Sequence, residues 1–168
     1  MLSFVLQKKY KTHMTLKNHL LKMLDSEIWA NQVLTETIEK AQSPDERTLL
    51  LFSHLLSSYS MWVSRLKGTE MTTTLFQERT LEESKALMKS MFSGLKLYLD
   101  QSTDEELDRV IHFTFPLDGS QRKLSVADAI THVITHSTYH RGQIIARLKE
   151  KVETLPLTTY IAFAMEAD

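Results

Sequence analysis

Four helix-start signals divide this chain into segments that read as long helices. Ser43-Pro44-Asp45-Glu46 combines a capping serine, proline at the first helical position and glutamate three residues after the cap. Thr80-Leu81-Glu82-Glu83 and Thr103-Asp104-Glu105-Glu106 repeat the capping box, the second ahead of only a short apolar run. Ser125-Val126-Ala127-Asp128 is a weaker version with an acidic third residue. With 4 Gly and 3 Pro in 168 residues, little interrupts the helices behind these caps.

The spacing predicts a first helix from Thr12 or Thr15 to Ala41, with Leu16, Leu20, Met23, Leu24, Ile28 and Trp29 recurring at helical intervals. A second runs from Pro44 to Lys67 and stops at Gly68. After a loop containing Thr72, Thr73 and Thr74, a third spans Leu81 to about Gln101, and the fourth spans Val126 to Val152. Between the last two the period changes. Val110-Ile111-His112-Phe113-Thr114-Phe115 is β-branched and aromatic, Asp118-Gly119 is a turn signal, and Arg122-Lys123-Leu124 is the returning strand of a small β-hairpin. Tyr160-Ile161-Ala162-Phe163, beyond Pro156, is an apolar tail expected to pack on the bundle.

Charge and cysteine content narrow the function classes. The formal net charge is -1 and no basic block occurs, which argues against a sequence-independent nucleic-acid binder. No segment reaches the length of a membrane span. The apolar run Leu2 to Leu6 precedes its lysines, so a signal peptide is not expected, and residues 1–11 read as an N-terminal extension. The absence of cysteine excludes disulfides and thiolate ligands and fits a reducing cytoplasm. There is no phosphate-cradling glycine loop and no G-x-S-x-G elbow. The acidic runs Glu82-Glu83 and Asp104-Glu105-Glu106 read as charges complementing helix dipoles.

The chemistry-bearing stretch is His132-Val133-Ile134-Thr135-His136-Ser137-Thr138-Tyr139-His140-Arg141-Gly142-Gln143-Ile144. His136 and His140 stand one turn apart on one helix face, the spacing at which two imidazoles grip one metal ion. At 100° per residue, His140 lies about 60° and His136 about 100° from the inward stripe, with His132 about 140° away and nearer solvent. His54, about 110° from the stripe of the second helix, can supply a third nitrogen across a bundle cleft. Three protein ligands with an open position is the pattern of a catalytic metal. Core-edge or solvated histidines account for the same spacing equally well. His13, His19 and His112 have no partner spacing and read as surface or hairpin residues. Arg141 is expected in a surface or inter-helix salt bridge, and Gln143 in a hydrogen bond to a ligand.

These residues resemble the DinB/YfiT-like superfamily, the DNA-damage-inducible family and not the polymerase of the same name. The resemblance runs from about Leu16 to Phe163. It rests on Trp29-Ala30-Asn31, on Phe52-Ser53-His54-Leu55 with Trp62 and Arg65, on His132 through Ile144, and on Leu155-Pro156 with Thr159-Tyr160-Ile161. It implies a four-helix bundle of up-down-down-up topology forming one domain over residues 1–168. It also implies a ligand triad of His54, His136 and His140, a divalent ion such as nickel, zinc or iron, and a homodimer. Several relatives are transferases or isomerases that use low-molecular-weight thiols, including bacillithiol and mycothiol. The family's usual glycine after the fourth helix is replaced by Glu150-Lys151-Val152-Glu153, and its aspartate before the closing tyrosine by Thr159.

The expectation is therefore an all-α bundle carrying a metal-dependent transferase or hydrolase site for a small molecule, in the cytoplasm. A thiol at such a metal has to arrive with the substrate or cofactor. The competing class is a non-catalytic bundle whose histidines hold a structural metal or none, and whose apolar flank dimerises.

Overall fold

The computed structural model describes residues 14–41, 43–116 and 118–165. The N-terminal extension 1–11 and His13 lie outside the described residues. Four long helices, α1 (Leu16–Lys40), α2 (Glu46–Lys67), α3 (Leu81–Gln101) and α5 (Val126–Leu148), form the bundle. A short helix α4 (Asp104–Asp108) and the hairpin β1 (Val110–Thr114) and β2 (Gln121–Ser125) precede α5, and a short helix α6 (Tyr160–Ala164) follows it.

The caps explain most of these boundaries. The side chains of Thr15, Thr80, Thr103 and Ser125 each accept from the backbone N–H three residues on, and Thr80 with Glu83 forms the full reciprocal box. Gly68 closes α2 in the left-handed conformation at φ 64°, where a side chain would be strained. Two predicted ends are corrected. Asp45, not Ser43, caps α2: its Oδ1 accepts from Thr48 N at 3.0 Å, whereas Ser43 sits at φ 54° in the turn before it. A carboxylate is a charged acceptor at the positive helix end, and Arg147 from α5 also donates to it at 2.8 Å. At the other end of the chain, α5 stops at Leu148, four residues before Val152, and the chain turns there.

Inter-helix contacts establish the up-down-down-up order. Lys17 at the start of α1 donates to Asp100 O and Ser102 O at the end of α3, while Lys85 near the start of α3 pairs with Glu39 near the end of α1. Those two helices are antiparallel. The chain leaving α2 runs back along it: Thr73 meets Ser60, Leu75 meets His54 and Gln77 meets Ser53. Helix α3 therefore starts beside the N-terminal half of α2 and runs parallel to it. Arg147 reaches Asp45, which makes α5 antiparallel to α2.

Leu24, Leu34, Phe52, Leu55, Leu56, Leu99, Ile130 and Ile144 fill the centre with no exposed surface. The hairpin pairs Val110 with Ser125 and Thr114 with Gln121. Strand alternation turns Ile111 and Phe113 inward, and the Phe113 ring meets Trp62 of α2 at 5.2 Å. Gly119 carries the hairpin turn at φ 70°. The predicted apolar tail docks as α6, with Phe163 buried and 5.9 Å from Trp29. Among the described residues no helix is long and apolar enough to cross a membrane.

Candidate metal centre

His54 sits in the middle of α2, only 6% exposed. Its Nδ1 lies 2.8 Å from the carbonyl oxygen of Leu75. A carbonyl only accepts, so Nδ1 carries the proton and Nε2 keeps its lone pair. The ring stacks flat on Phe76, centroids 4.1 Å apart and planes within 6°. The returning loop thus sets both the tautomer and the plane of this imidazole.

His136 and His140 project from α5 towards it and are half-buried. Their Nε2 atoms stand 3.2 Å apart. The Nδ1 of His140 donates to Gln143 Oε1 at 2.9 Å, which leaves its Nε2 as an acceptor too. Ligand nitrogens of His54, His136 and His140 all lie within 4.8 Å of one another. Two nitrogens sharing one tetrahedral zinc at about 2.0–2.1 Å stand about 3.3 Å apart, so the His136–His140 spacing fits a shared divalent ion. Burial, and then the neighbouring imidazoles of His140, His132 and His54, push the His136 pKa down to about 4. Burial also lowers that of His140, although the Gln143 hydrogen bond works against it. Both shifts favour neutral rings, the form that binds metal.

Beside these rings lies a cavity of about 560 Å³, walled by α2, α5 and the hairpin. His54, His136, Trp62, Arg65, Phe113 and His132 are among its lining residues. His132 is exposed, as its helical angle predicts, yet it reaches the cavity and contacts Trp62 at 5.1 Å, so the angle alone did not remove it from the cleft. It is outside the triad of converging nitrogens. His19 and His112 are exposed, on α1 and on the hairpin.

Arg141 is the inter-helix alternative in its buried form. It is 4% exposed, and its Nη1 donates to both carboxylate oxygens of Glu27 on α1, at 2.9 and 2.8 Å. Ser137 Oγ and Asn31 Nδ2 donate to the same carboxylate. This network ties α5 to α1 one residue after His140 and leaves the rings facing α2. The sequence reading assigned no part to Glu27, Leu75 or Phe76. Glu27 carries a signal, as a carboxylate at an apolar-spaced position of α1. Leu75 and Phe76 carry none, because only the path of the loop brings them to His54.

Comparison with protein families matches the DinB family over residues 10–167. Among curated proteins, Protein DinB of Bacillus subtilis (strain 168) is 26% identical over 147 residues, covering 77% of this chain and 84% of that protein. No solved structure matches the chain significantly. The fold, the histidine geometry and the near-complete span of the family match agree, and the chain belongs to the DinB family.

Proposed function

We propose that this chain is a divalent-metal-dependent transferase or hydrolase acting on a small molecule, with a low-molecular-weight thiol as co-substrate. His54, His136 and His140 are the proposed ligands. The observation that carries the reading is the convergence of three imidazole nitrogens within 4.8 Å beside a cavity of about 560 Å³. A metal there supplies Lewis acidity, lowering the pKa of a thiol or water. The protein's own part is to keep the rings neutral by burial and to fix His54 and His140 through Leu75 O and Gln143 Oε1. The chain contains no cysteine, so the thiol comes from outside it. Nickel, zinc and iron all accept imidazole nitrogen.

The reading includes a cytoplasmic homodimer. A reducing compartment suits both a free thiol and a cysteine-free chain, and two-fold dimers are the commonest assemblies. Sedimentation at micromolar concentration tests the dimer. Metal analysis of the purified chain followed by a thiol-conjugation screen tests the activity. One ion per chain with metal-dependent conjugation is the expected result. A chain that binds no metal after full loading would instead be a non-catalytic, dimerising bundle.

A further inference from the structure

Among the described residues, the cavity beside the histidines has one lysine or arginine in its wall, Arg65. Its guanidinium carbon is 4.7 Å from the ring centroids of both Trp62 and Phe113. These rings hold the cation without using its N–H groups as donors to oxygen. Arg79, Arg109, Arg122, Arg141 and Arg147 each donate to protein oxygens. Among the described residues, no oxygen accepts from the Arg65 guanidinium, and it is half-buried rather than free in solvent. Arg47 is also without such a bond, but it is exposed and solvated. Asp128, the carboxylate in the same wall, accepts from Ser125 Oγ at 2.8 Å and forms no ion pair with Arg65. A partly desolvated cation that meets no protein oxygen among the described residues favours an acceptor supplied by a ligand. A planar guanidinium fork matches a carboxylate in two parallel bonds.

We propose that Arg65 is the specificity-determining anchor of this cavity, binding the carboxylate of a ligand whose apolar body lies against Trp62 and Phe113. The inference rests on the preceding section only in treating this cavity as the substrate site. The walls suit such a ligand: Trp62, Met61, Leu75, Phe113 and Leu124 are apolar, and the volume is that of ordinary small-molecule sites. A ligand held at Arg65 also lies in the cavity that His54 and His136 line.

The test uses 4-phenylbutyrate and its neutral analogue 4-phenylbutanol, titrated into the full chain both metal-free and zinc-loaded and followed by calorimetry. The acid is expected to bind about tenfold more tightly than the alcohol in the metal-free chain, the scale of one charge-assisted hydrogen bond. Arg65→Met should bring the two ligands within about twofold, with the alcohol's affinity unchanged; Arg65→Lys should keep part of the preference. A merely structural cation clamp would move both ligands together. Equal binding of acid and alcohol by the wild type overturns the proposal, as does a preference that survives in Arg65→Met. If Arg65→Met does not fold, a reduced but retained preference in Arg65→Lys carries the test, and a full preference there overturns it. A preference seen only with zinc and retained without Arg65 places the anion on the metal and leaves the metal reading standing. A preference in a chain that cannot load metal supports the anchor while the metal reading falls.

Discussion

The His54 Nδ1–H donates to the carbonyl of Leu75, a residue on the far side of the turn that ends α2. The bond fastens a loop to a helix it has already left, and it fixes which nitrogen of His54 faces His136 and His140. Gln143 does the same for His140 from within α5. Two of the three rings are therefore oriented before any ligand arrives.

Replacing His136 or His140 by Ala should abolish tight metal binding, since two remaining nitrogens hold an ion poorly. His54→Ala should do the same, while His132→Ala should keep nearly full metal content. Gln143→Leu keeps the ligands but frees the His140 ring, and a loss of roughly 10–100-fold in affinity is expected. Metal stoichiometry and affinity of the purified variants decide this. Loss of the ion from His132→Ala together with its retention in His54→Ala would move the site onto α5 alone.

The pH dependence of loading follows from the sign of the histidine shifts. An exposed imidazole is largely protonated at pH 5.5, but burial holds His136 neutral down to about pH 4. Release of the metal on acidification should thus come at a lower pH than protonation of exposed imidazoles near about 6.5. Without metal, the unfolded chain binds protons at His132, His136 and His140 before the folded chain does. Stability of the metal-free protein should fall as the pH descends from about 6.5 to 4. Metal content and urea midpoints measured from pH 7 to 4 check both; release with a midpoint near 6.5 would contradict the shift.

Breaking the Glu27–Arg141 pair should be costly. Arg141→Met leaves a carboxylate that is 1% exposed without its cation, and a loss of about 3–5 kcal/mol is expected. Glu27→Leu with Arg141→Met should recover much of that loss. Urea denaturation of the two single variants and the double variant provides the cycle, and additive losses would show that the pair is uncoupled.

Asp45 caps the start of α2 and links it to α5. Asp45→Ala removes the cap and the Arg147 contact, with an expected cost of about 1–2 kcal/mol. The hydrogen bond from Arg147 lowers the Asp45 pKa to about 2, so its contribution is complete above about pH 4 and fades as the pH falls towards 2. Asp45→Ala should therefore differ from wild type at pH 7 and much less at pH 2. Thermal unfolding at the two values checks this.

The sequence by itself determined the elements. Side-chain caps, apolar period and the glycine stop at Gly68 act within a few residues, so α1 to α3, α5 and the hairpin were legible from local chemistry. The misplaced start of α2 shows the limit of that approach. Ser43 and Asp45 both suit a cap, and the partner that favours Asp45, Arg147, lies on another helix. For the site, helical angles put His136 and His140 on one face because that relation is set within a single helix. Only the tertiary structure decided that His54 meets them, that the loop bearing Leu75 and Phe76 orients it, that Glu27 holds Arg141, and that Trp62, Arg65 and Phe113 enclose a cavity beside it. Those relations depend on how separate segments pack, and packing is a property of the whole bundle that no local period encodes.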